Sequence, residues 1–150
     1  MPCLRPMRLL AIILIAACGA DSPLGPNLGA GPSNATLAGD WTMSFGDMTD
    51  GSLTCFTDNF PVTLSQNGAA FSGTFGSATL TCTNGITTWS HPMPAGQVAN
   101  GSIATSIVNF DLAPGLHQTG TWTGAGIRGT ARWVFSGTAL DGAWSASHLP

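Results

Sequence analysis

From Leu37 onward, apolar and polar positions alternate in short runs. In Asp40-Trp41-Thr42-Met43-Ser44-Phe45 the three large apolar side chains fall on one face and Thr42 and Ser44 on the other; Phe60, Val62 and Leu64 repeat the arrangement. Period two marks a strand with one buried face. The same spacing returns at Phe71 and Phe75, Leu80 and Cys82, Val108, Phe110 and Leu112, Trp133 and Phe135, and Leu140 and Trp144, with shorter candidates over 101–105 and 118–124.

Between these runs stand Gln66-Asn67-Gly68, Asn84-Gly85, Asn100-Gly101, Ala113-Pro114-Gly115, Gly124-Ala125-Gly126 and Asp141-Gly142. Most of these are turn or bulge chemistry. Eight to ten short antiparallel strands follow, and no intervening segment has a helical stripe that would support parallel crossovers. Residues 46–59 and 90–97 read as two longer loops. The fold class is all-β. A meander of this kind closes into an up-and-down barrel of about eight strands or folds into a two-sheet sandwich, and the hairpin-like connections favour the barrel.

Composition agrees with strands: Tyr and Glu are absent, and Gly, Ser and Thr are abundant. At Gly39-Asp40-Trp41 the chain resembles the Gly-x-Trp that opens the first strand of lipocalins and avidins. That resemblance implies a barrel with Trp41 closing one end and a basic residue late in the barrel packed on it; Arg128, Arg132 and His148 are the candidates. A biotin site does not carry over, because its pattern includes a tyrosine.

The amino-terminal segment has a different character. Arg5 and Arg8 precede an apolar run from Leu9 to Ala17, the order of an export signal. As a helix the run reaches about 14 Å, short of the roughly 30 Å hydrocarbon core of a bilayer. Ile15-Ala16-Ala17-Cys18 resembles the lipobox of bacterial lipoproteins. The resemblance implies cleavage before Cys18 and acylation of its sulfur and new amino group, an anchor that becomes stable once more than one acyl chain is present. The competing reading is an ordinary secretory signal with Cys18 incidental to the cut. Gly19 stands where lipoproteins kept in the inner membrane often carry Asp, so the expected location is the outer membrane of a bacterial cell envelope. Residues 19–36 are rich in Gly and Pro and have hardly a large side chain, so they read as a flexible spacer. The expected organisation is a signal peptide at 1–17, a lipidated Cys18 and linker at 18–36, and the barrel at 37–150.

Once the signal is removed, Arg128 and Arg132 stand against seven aspartates, a net charge of −5. With no lysine and no basic stripe, nucleic acid is not an expected partner. Cys55 and Cys82 are then the remaining cysteines, and in an oxidising compartment they are expected to form a disulfide; a metal-binding thiol pair lacks the close spacing and further ligands.

Catalytic motifs are sparse. There is no Gly-x-Ser-x-Gly elbow, and His91, His117 and His148 stand singly along the sequence. Asp47, Asp50 and Asp58 share one segment, but without an EF-hand spacing they read as solvated loop carboxylates. The chain therefore reads as non-enzymatic, with no cofactor and no metal site. The tryptophans hold the most chemistry. Trp41, Trp133 and Trp144 lie on apolar faces and fall to the core, or Trp41 and Trp133 line a pocket, since an eight-stranded barrel holds side chains or one small ligand. Trp89 and Trp122, flanked by Thr, Ser and Gly, are candidates to line an opening. Two functions remain: a tethered barrel that binds a small apolar or amphipathic molecule, or a structural or adhesive module that meets another envelope protein through a strand edge.

Overall fold

The computed structural model describes residues 36–135 and 137–150. The expected signal peptide, Cys18 and nearly all of the spacer lie outside these residues. Eleven strands form: β1 (Gly39–Thr49), β2 (Thr54–Thr57), β3 (Phe60–Asn67), β4 (Ala70–Phe75), β5 (Ala78–Thr83) and β6 (Thr88–Met93), followed by β7 (Gly96–Ala104), β8 (Ile107–Ala113), β9 (Leu116–Trp122), β10 (Gly126–Phe135) and β11 (Thr138–His148).

Eight of them make the wall of a closed antiparallel barrel in the order β1-β3-β4-β7-β8-β9-β10-β11, and β11 returns to β1 with Trp41 opposite His148 and Phe45 opposite Trp144. Closure removes the free edges of the wall. The other three strands arise from two connections at one end, β2 from the passage between β1 and β3, and the β5–β6 hairpin from the passage between β4 and β7. They pair with one another in the order β2-β5-β6 and continue from the tip of β1, where Met48 faces Cys55 and Thr49 faces Thr54. Where β1 passes from β3 to β2, the Phe45 amide donates to the Thr57 hydroxyl at 2.9 Å, so that amide keeps a partner at the junction.

This three-stranded flap corrects the sequence reading of two long loops. Segment 46–59 holds the end of β1 and all of β2, and segment 90–97 holds most of β6 and the start of β7. Four residues are too few for β2 to show alternation, and Pro92 argues against a central strand, yet β6 is an edge strand, where proline is tolerated. Asp141-Gly142 is corrected too: it lies inside β11, and the hairpin turn comes earlier, between Phe135 and Thr138. Gly142 is there because β1 bulges between Phe45 and Met48 and passes close by; a Cβ at 142 would stand 2.3 Å from the Asp47 carbonyl oxygen.

Alternation fills the barrel. Trp41, Met43, Val62, Leu64, Phe71, Val108, Phe110, Ile127 and Ala146 surround a central void of about 10 Å³, room for about one water. Gln118 is buried among them, and its side-chain amide donates to the carbonyls of Phe110 (2.8 Å) and Leu116 (3.3 Å). At the end where the described chain enters, Leu37 is fully buried, its amide donates to the Gln66 side chain at 2.6 Å, and its carbonyl accepts the Trp41 indole N–H at 2.8 Å. The His148 ring meets Trp41 edge to face, with centroids 5.0 Å apart. Gly39 gives His148 room: φ is +128°, and a Cβ there would lie 2.7 Å from His148 Nε2. Of the three basic candidates, then, His148 is the one in ring contact with Trp41.

Candidate functional site

The opposite end of the barrel is open beneath the flap. Directly opposed residues in antiparallel strands share a face, so Cys55 on β2, Cys82 and Leu80 on β5, and Trp89, His91 and Met93 on β6 form one surface of the flap. The Cys55–Cys82 disulfide expected from the sequence is present and joins the two inserted segments across a separation of 27 residues. Facing this surface are Phe75, Leu112, Trp133, Phe135 and Leu140 from the barrel rim. Between the two surfaces lies a cleft of about 890 Å³ with a mainly apolar wall, within the range of small-molecule sites.

Two aromatic residues stand at its mouth in contact with solvent. Trp89 is 43% exposed and Phe135 61%. Phe135 leans on Trp133 with ring centroids 5.5 Å apart. Large aromatic surface left in water beside a cavity is unfavourable for an empty site and favourable for a ligand that covers it.

One edge of the cleft is polar. Asp111 on β8 pairs in register with His117 on β9 and hydrogen-bonds to its Nδ1; because a carboxylate accepts only, His117 donates from that nitrogen. Asn100 on β7 donates from Nδ2 to the other Asp111 oxygen at 2.6 Å. Asn100 reaches it because β7 bulges there, with Asn100 in the left-handed region at φ 53°, a conformation asparagine tolerates. Burial pushes the Asp111 carboxyl up, but the hydrogen bonds from Asn100 and His117, with the attraction of His117, outweigh it and hold the group below its ordinary value of 3.8. All of this polar row lies on the outer face of the wall, where the cleft runs over the rim: Asp111 is opposite His117, His117 opposite Arg132 and Arg132 opposite Asp141, whose two carboxylate oxygens accept from Arg132 Nη1 at 2.9 and 3.0 Å.

Of the tryptophans singled out in the sequence, the structure brings Trp89 and Trp133 together on the cleft. Trp41 lies in the closed end, and Trp122, opposite Ile127, packs against the core away from the cleft. The sequence reading missed the Asn100–Asp111–His117 cluster. The hairpin at Pro114-Gly115 alone, with Ala113 opposite Leu116, would set Asp111 opposite Gln118; a register shift between Asp111 and Ala113 brings Asp111 opposite His117 instead, and no residue pattern in the sequence marks that shift.

His117 held by Asp111 is the base-and-orienter half of a hydrolytic triad, but among the described residues no hydroxyl is hydrogen-bonded to His117. The Asp47, Asp50 and Asp58 segment gathers no metal site among the described residues. Instead Asp50 Oδ1 accepts from the Ser52 and Leu53 amides, both at 2.8 Å, and from the Ser52 hydroxyl at 2.9 Å. The Leu53 and Ser52 amides lower its carboxyl below the usual range. No protein-family model, curated protein or solved structure matches this chain.

Proposed function

We propose that this chain is a lipid-anchored cell-envelope protein, non-enzymatic, whose barrel takes a small apolar or amphipathic molecule into the cleft between Trp89 and the Trp133–Phe135 pair. The observation that carries the reading is that cleft: a volume of about 890 Å³ outside a barrel interior that is itself filled. Anchoring rests on the sequence alone, on the lipobox-like Ile15-Ala16-Ala17-Cys18 and the spacer after it.

Two experiments test the proposal. A fluorescent apolar probe should bind the purified protein and lose most of its affinity in Trp89→Ala or Trp133→Ala; no binding by the folded parent protein would refute the ligand reading. Intact mass of the membrane-extracted chain should show a start at Cys18 with added acyl mass, lost in Cys18→Ala. An unmodified chain cut elsewhere would leave an export signal without an anchor.

A second reading is favoured by β6, whose other edge has no partner strand among the described residues. Such an edge suits an extended segment of another envelope protein. Pro92 removes one donor from this strand, which weakens the reading. A stoichiometric protein partner recovered from solubilised membranes, and lost when Ser90 or His91 is changed to proline, would favour it.

A further inference from the structure

The charge of the cleft is one-sided. Among the described residues, Asp111 is the one carboxylate on its wall, His91 and His117 are the other titratable side chains there, and neither Arg128 nor Arg132 lines it. Arg132, next in the polar row, is paired with Asp141. An anionic head would give up water at this wall facing Asp111, while the imidazole of His117 is already engaged by that carboxylate. For a cationic head the balance reverses. Asp111 presents its carboxylate in a fixed position, one oxygen held by Asn100 and the other by His117. Its side chain is 22% exposed, so a charge contact there is screened less than on an open surface. The described residues as a whole carry two arginines and six aspartates, a field that draws cations and repels anions.

We infer that the ligand is a cationic amphiphile, with an apolar body held between Trp89 and the Trp133–Phe135 pair and a single ammonium head against Asp111. This inference rests on the cleft being an amphiphile site. The bulge at Asn100 and the Pro114-Gly115 hairpin build the head position by fixing the carboxylate from both sides.

The test compares three ligands of equal chain length, decyltrimethylammonium, decanol and decanoate, below their micelle concentrations. They are titrated into the full chain carrying Cys18→Ser and followed by tryptophan fluorescence. Decyltrimethylammonium should bind about tenfold or more tightly than decanoate, with decanol between them. Asp111→Asn should remove most of that preference and leave decanol unchanged. Should that variant fail to fold, a salt series on the parent serves: ammonium affinity should fall as salt rises, and decanol affinity should not. Decanoate binding as tightly as the ammonium, or an ammonium preference insensitive to salt, would overturn the charge assignment and leave the cleft reading standing. No binding by any of the three would remove the cleft reading itself.

Discussion

The indole of Trp144 fills the space that a side chain at Gly120 would need: a Cβ at 120 would lie 2.6 Å from its Cζ2. From there Trp144 Nε1 donates to the carbonyls of Thr119 (3.1 Å) and Thr130 (3.0 Å) on two neighbouring strands. Gly129 stands opposite both Gly120 and Trp144, and a Cβ on it would lie 1.9 Å from the Thr119 carbonyl oxygen. The neighbouring atom there is backbone and cannot swing aside. Gly129→Ala should therefore cost about 3 kcal/mol in urea unfolding, the upper part of the overpacking range. A variant as stable as the parent would mean that β9 and β10 part without penalty.

Loss of the disulfide should act on the flap before the barrel. In the chain-entropy account, a loop of this length is worth about 3.5 kcal/mol. Cys55→Ala with Cys82→Ala should lower the unfolding midpoint accordingly while near-ultraviolet circular dichroism from the buried Trp41 and Trp144 persists. Probe binding should weaken, because Trp89 reaches the cleft only through the flap. Binding at parental strength in the reduced protein would show that the β2–β5 pairing holds the flap unaided.

At the closed end the two partners of the Trp41–His148 contact should differ in weight. Trp41→Ala removes a core indole and its hydrogen bond to Leu37, and should cost about 3–5 kcal/mol. His148→Ala removes one edge-to-face contact at the surface, and should cost about 1 kcal/mol. Equal effects in chemical denaturation would contradict the assignment of Trp41 as the plug.

Acid should weaken the fold through two carboxylates. Asp50 and Asp111 are both held below 3.8, so they bind fewer protons folded than unfolded. Their contribution is complete above that value and is lost as pH falls through their lower folded values. Denaturation midpoints measured from pH 6 down to 2 should decline below about 4, and Asp111→Asn should flatten part of the decline. A midpoint unchanged down to pH 2 would mean that neither group is stabilised by folding.

The barrel wall was legible because each of its strands buries one face against a single core, and period two is the imprint of that burial. Phe60, Val62 and Leu64 show it directly. The flap was not, because β2 is four residues long and β6 leaves nearly all of its side chains in solvent, which erases the alternation. Asp141-Gly142 misled because glycine serves two needs, a turn and a close approach of backbones, and a linear sequence does not separate them. Trp89 and Trp133 share a cleft, but they arrive from a flap edge and a barrel rim 44 positions apart. No local spacing encodes such a meeting. Asn100, Asp111 and His117 were not legible, because two register shifts, one in β7 at Asn100 and one between Asp111 and Ala113, bring them together.

Leu37 and Trp41, joined by the indole hydrogen bond at the closed end, mark where the molecule takes up load. Tension applied through the residues before Thr36 arrives at Leu37 and runs along β1. That strand is flanked by β3 on one side and β11 on the other, with its hydrogen bonds across the direction of pull. Such a strand is loaded in shear, many bonds sharing the force at once, whereas β6 at the far end would peel from β5 one bond at a time. A pulling experiment gripping the amino-terminal side should therefore record a higher rupture force than one gripping β6, and the cleft would lie at the end farthest from the strain.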